Sequence, residues 1–259
     1  MILAIDIGNS TTSVGLFDMR GTLLFRSDLS TSKHVTRDQC AISLMGVFQL
    51  YGAVIGAVTS AIVASVVPPI TAAMAEAVTL LIGKAPLIVG PGIKTGLNIK
   101  ADMHTQMGAD IVSSSVAAAA KYPTPVIVVD MGTAVTMSVI VGNTYEGCVI
   151  MPGVRTALEA LSDRAAELPH ISLERPASIL GRNTIDAMRS GVLYGNAAML
   201  DNMISYLEEA SAPAAAVVAT GGNASTILPY CKRKIQYDQN LLMDGLYLLC
   251  QKNAERNRK

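Results

Sequence analysis

The chain has 259 residues, of which 51% are hydrophobic and 15% charged, enough for one large or two ordinary domains with a sizeable core and too apolar for disorder. Lys plus Arg and Asp plus Glu balance at 20 each. Without a basic surplus or a basic run, the electrostatic footprint of a nucleic-acid or membrane-surface partner is missing, and neither partner is expected.

The chain opens MILAIDIGNS. There is no basic n-region, and Asp6 interrupts the apolar run, so no secretory leader is read and a cytoplasmic protein is expected. Residues 2–5 predict a strand that runs into the turn DIGNSTT, followed by strands over 13–17 and 22–30. Apolar residues Ile42, Met45, Val47 and Leu50 have helical spacing and predict a helix over 36–51, capped by Ser32 or Thr36. The uncharged stretch 51–70 contains Gly52, Gly56 and the pair Pro68-Pro69; it reads as a buried strand over 61–67 rather than a membrane span. A helix over 70–82, a short strand over 86–89 and an Ala- and Ser-rich helix over 110–122 complete the first half. The four cysteines, Cys40, Cys148, Cys231 and Cys250, form no CxxC pair, and with His34, His104 and His170 scattered there is no metal-ligand spacing; reduced, mostly buried thiols are expected.

Residues 125–130 open a second set of strands with the opening logic repeated: VIVVDMGTAVTMSVIV matches LAIDIGNSTTSVGLF as apolar run, Asp, apolar residue, Gly, hydroxyl residue, strand. Asp6 and Asp130 lie roughly half a chain apart, so the repeat predicts two similar α/β units rather than a solenoid. A lightly charged helix follows over 184–207, then a third glycine turn, ATGGN, after a strand beginning at 216, and finally an apolar helix over 241–252 with a frayed, basic end.

A glycine turn after a buried strand lets backbone N–H groups approach a phosphate, and the hydroxyls of Ser10, Thr11 and Thr12 add donors. Asp6 cannot donate, but it can hold Mg²⁺ bridging nucleotide phosphates, often through water. Asp130, Gly132 and Thr133 would form a facing turn, and Gly221 and Gly222 a third wall against nucleotide. One Asp-x-Gly turn is commonly only a turn; two copies and a Thr-Gly-Gly turn together point to nucleotide. GPGIKT at 90–95 lacks Walker spacing, and no GxGxxG follows the first strand.

DIGNST, SVVP, KTGLNI, MGAD, VVDMGTA, MPGV, LGRNT and ATGG occur in an order and spacing that resemble the type III pantothenate kinases, over about residues 1–250. The resemblance implies an α/β fold of two RNase H-like (actin-like ATPase) domains with a cleft between them. The first would span 1–120, with helix 241–259 packing back on it, and the second 121–240. It implies phosphorylation of pantothenate to 4′-phosphopantothenate with ATP, a divalent cation such as Mg²⁺, dependence on K⁺ or NH₄⁺, and a homodimer. By position it makes Asp6 the organiser of metal and phosphate with Gly8, Asn9, Ser10, Thr11 and Thr12, Asp110 the general base, and Asp130 the monovalent-cation ligand. Gly108 would sit against the acceptor, and Thr184 would reach the acceptor pocket across the dimer interface.

Three positions depart from the family pattern: Ile111 where Arg is usual after Asp110, Ala101 where Tyr is usual, and Cys148 where Gly is usual. The first two are acceptor-binding positions. Either Lys100 or Arg155 would then have to reach the pantothenate carboxylate, or another small alcohol would be preferred. A catalytically silent nucleotide-binding regulator is the reading from a different class.

Overall fold

The computed structural model describes residues 1–32, 34–100 and 107–254. By contacts the chain divides into two compact units. The first comprises the chain up to Leu97, the segment ending at Ala117 and the stretch from Asn240; the second comprises Asn98–Lys100 and Ala118–Gln239.

In the first unit, β1 (Ile2–Ile7), β2 (Thr11–Phe17) and β3 (Leu23–Ser30) form an antiparallel meander, and β4 (Ser60–Ser65) and β5 (Leu87–Ile88) extend it in parallel, in the order β3-β2-β1-β4-β5. Side chains alternate across β1. Leu3, Ile5 and Ile7 join the core under α1 (Arg37–Leu50) and α2 (Pro68–Ile82), with Leu44, Phe48, Met74 and Val78. Ile2 and Ala4 join the opposite core, with Val112 and Val116 of α3 (Ala109–Lys121) and Leu246 and Leu249 of α7 (Leu241–Ala254). Helix α1 starts on a full capping box of Thr36 and Gln39. Strand β4 ends at Ser65, earlier than the expected 67, and Pro68 and Pro69 open α2, ahead of its expected start at 70. Proline is favoured there because the first helical turn leaves its N–H groups unused. The expected C-terminal helix extends to Ala254 and packs on β1 and β4; residues 255–259 lie outside the described residues. Among the described residues no helix is long and apolar enough to cross a membrane.

In the second unit, β7 (Val126–Met131), β8 (Ala134–Val141) and β9 (Thr144–Pro152) form the meander, and β10 (Ala216–Thr220) and β11 (Gln236–Tyr237) lie on the other side of β7; β6 (Asn98–Ile99) adds to β9. The order β9-β8-β7-β10-β11 reproduces β3-β2-β1-β4-β5 strand for strand. Ile127, Val129 and Met131 pack on Leu193, Ala197, Leu200 and Ile204 of the long helix α5 (Thr184–Ala210), which begins at the cap Asn183. Helices α4 (Val154–Arg164) and α6 (Ala224–Ile227) leave the ends of β9 and β10.

Candidate active site

Asp6 is the fifth residue of six in β1, one residue further into the strand than the sequence predicts. It follows Ile2 and Ala4 on the face packed by α3 and α7, in register with Ser13 on β2 and Ala64 on β4. The turn beyond it closes through Gly8 N–H donating to the Thr11 carbonyl at 3.0 Å. Asn9, Ser10 and Thr11 are exposed, where a ligand can reach them. Thr12 differs: it is 5% exposed, and its hydroxyl lies 2.9 Å from that of Thr31. Thr31 donates its hydroxyl to the Gly8 carbonyl at 2.8 Å and its N–H to the Ser10 carbonyl at 3.0 Å. Thr12 therefore holds the turn from below through Thr31, a clamp residue that no sequence motif marked.

Asp130 occupies the same fifth position in β7, in register with Thr136 on β8 and Thr220 on β10. Two other segments close on the Gly132-Thr133 turn that follows, the loop after β10 and the start of α4. Gly221 has φ +92°, and a Cβ there would lie 2.7 Å from both Asp130 Oδ1 and the Met131 backbone, so only glycine fits. Asn223 donates its N–H and Nδ2 to the Met131 carbonyl at 3.2 and 3.3 Å, and Nδ2 also to the Gly132 carbonyl at 3.5 Å. Gly153, the N-cap of α4, donates its N–H to the Thr133 carbonyl at 3.0 Å, and a Cβ on it would lie 2.2 Å from that oxygen. Thr156 Oγ1 donates to the same carbonyl at 2.9 Å. Gly222, beside this contact, is exposed. Thus the Met-Pro-Gly-Val motif, a matter of resemblance alone in the sequence, is what seats a helix N-terminus on the second turn.

Asp110 is the second residue of α3, and its Oδ1 accepts the N–H of Ile111 at 2.9 Å. A Cβ on Gly108 would lie 2.3 Å from that carboxylate oxygen, so Gly108 leaves the space that Asp110 uses. Ile111 is half-buried. Ala101 lies outside the described residues. Thr184, the exposed first residue of α5, lines a cavity of about 750 Å³ between α4 and α5, along with Val154, Leu158, Leu161 and Met188. Lys100 is paired with Glu146, and Arg155 Nε donates to Asn223 Oδ1 at 3.2 Å; these are the contacts of the two basic residues considered for the acceptor carboxylate.

Among the described residues no three His, Cys, Asp or Glu gather as a metal cluster. A single strand-end carboxylate beside exposed hydroxyls suits Mg²⁺, which takes one or two carboxylates and fills its shell with water and phosphate oxygens. Cys40 and Cys250 are buried while Cys148 and Cys231 are only half-buried. Burial pushes the Cys231 and Cys250 thiols up to about 11, which keeps both protonated and unreactive at neutral pH.

Two units of one strand order, each sending an Asp-x-Gly turn from its central strand, define the two-domain α/β fold of the actin-like ATPases and sugar kinases. Over 99% of this chain and 96% of its own, the activator of the 2-hydroxyisocaproyl-CoA dehydratase from Clostridium difficile, solved with bound ADPNP, has a TM-score of 0.61 at 11% identity. The sequence profile described as type III pantothenate kinase matches residues 2–206. The type III pantothenate kinase of Shouchella clausii is 40% identical over 98% of this chain and 100% of its own length, and that of Geobacter sulfurreducens 37% identical over the same shares. The chain belongs to the type III pantothenate kinase family, a family of small-molecule kinases.

Proposed function

We propose that this chain transfers the γ-phosphoryl group of ATP to the terminal hydroxyl of pantothenate, giving 4′-phosphopantothenate for coenzyme A synthesis. The observation that carries the reading is the repeated Asp-x-Gly turn on β1 and β7, the second packed against the Thr-Gly-Gly loop. Asp6 would hold the divalent ion. Backbone and hydroxyl donors of Gly8, Asn9, Ser10, Thr11, Gly132 and Thr133 would bind phosphate oxygens, and Gly221 and Gly222 would lie along the nucleotide. When bound, Mg²⁺ neutralises charge on the β- and γ-phosphates. Asp110 would accept the hydroxyl proton, and Asp130 would hold K⁺ or NH₄⁺ near the phosphates. We assign 1–120 with the C-terminal helix to the first domain and 121–240 to the second, in keeping with the unit boundary inside α3. We place the enzyme in the cytoplasm, a reducing compartment in keeping with its free cysteines.

The test is steady-state phosphoryl transfer with ATP, Mg²⁺ and K⁺ to pantothenate, pantetheine and other small alcohols. Pantothenate should be turned over, and more slowly with Na⁺ in place of K⁺. Ile111→Arg should lower the KM for pantothenate by roughly ten- to a hundredfold, because a fixed fork then meets its carboxylate. An unchanged KM would mean that another group already pairs it. ATP binding with no turnover of any alcohol would favour the regulator.

We further propose a homodimer that brings Thr184 of one protomer to the acceptor site of the other. Leu161, Ile179, Leu180 and Ile185 are exposed near the α4–α5 cavity, an apolar face that a second copy would cover. Light scattering at micromolar concentration should give the mass of two chains; the mass of one chain would remove Thr184 from the site.

A further inference from the structure

We propose that Arg155 is a nucleotide-binding residue whose guanidinium meets the phosphate chain of ATP at the β7–β8 turn. The inference rests on the kinase reading but concerns a residue that none of the turn motifs assigns.

Arg155 is the second residue of α4, directly after the segment in which Gly153 bonds to Thr133. Its Nε is committed to Asn223 Oδ1 at 3.2 Å, and Asn223 in turn holds the Met131 and Gly132 carbonyls. A guanidinium held through Nε is oriented, leaving two terminal NH₂ groups in a fixed plane to meet an anion. The side chain is exposed, and among the described residues no carboxylate forms an ion pair with it. The same place receives the first-turn N–H groups of an 11-residue helix, whose partial charge has the same sign. A polyanion at this turn lies beside the Asp130 carboxylate and needs a cation to offset it. Arg155 supplies one. Its contacts run to Asn223 and through it to Gly132, both on nucleotide-side loops, which favours phosphate over the acceptor carboxylate as its partner.

The experiment measures AMP-PNP affinity by titration calorimetry with Mg²⁺ present, and the KM for ATP and pantothenate, in wild type, Arg155→Gln and Arg155→Lys. Arg155→Gln should weaken AMP-PNP binding by roughly ten- to a hundredfold. Arg155→Lys should recover part of it as a point charge, with the KM for pantothenate within about twofold of wild type and an unchanged melting curve. A raised pantothenate KM beside unchanged AMP-PNP affinity would hand the guanidinium to the acceptor and overturn the assignment. Unchanged AMP-PNP affinity beside tight wild-type binding would overturn it alone. Wild type that binds no AMP-PNP would overturn the kinase reading and this assignment with it.

Discussion

Asp110→Asn should lower kcat with pantothenate by about 10²–10⁴, the usual contribution of a positioned general base, while the melting temperature stays close to wild type. The amide keeps an oxygen that can accept the Ile111 N–H, now met by the carboxylate at 2.9 Å, so the local helix start survives. What the amide loses is the capacity to take a proton. The carboxylate contributes by its position, which Gly108 helps to fix by leaving no Cβ within 2.3 Å of Oδ1. Stopped-flow and steady-state rates on the folded variant decide the matter. If kcat is retained, Asp110 is a helix cap and the proton goes elsewhere.

Gly245→Ala should cost about 3 kcal/mol or more, a melting-temperature loss on the order of 6–12 °C, and lower kcat as well. A Cβ at Gly245 would lie 1.8 Å from the Ser113 carbonyl oxygen and 2.5 Å from its carbon, a collision with backbone rather than with a side chain that could swing away. The two helices can cross so closely only because α7 presents a glycine there. Neither can retreat cheaply: Leu246 and Leu249 on α7, and Val112 and Val116 on α3, are buried in one core with Ile2 and Ala4, each large apolar side chain worth about 1.5–3 kcal/mol of burial. Moving α3 moves Asp110, one turn before Ser113, so the activity loss should appear as kcat more than as KM. Gly46→Ala is the matched control. Gly46 is exposed in α1, and a Cβ on it would meet nothing within 4 Å, so alanine there should stabilise by about 0.5–1 kcal/mol. Thermal melts of both variants side by side test the argument, and it fails if the two shifts share a sign.

What the amino-acid sequence determined on its own was local. Apolar runs broken by Asp-x-Gly are legible because strand alternation and turn chemistry depend on residues a few positions apart. Hence β1, β7, their turns and the repeat between the two halves could be read directly, and the ordered motifs carried the family. Misplaced bounds fell where one residue type serves two elements: Pro68 and Pro69 end a strand and equally well begin a helix. Tertiary structure alone decided which groups hold those turns in shape. Thr31 under the first turn, Gly153 and Asn223 against the second, and Ser113 against Gly245 are pairings across long stretches of chain, with Asn223 and Met131 separated by 92 positions. In sequence each is an ordinary polar or small residue. Only packing turns the missing Cβ of a glycine into a close approach, or an asparagine amide into a clamp, because the neighbour that gives it meaning arrives when the sheet has formed.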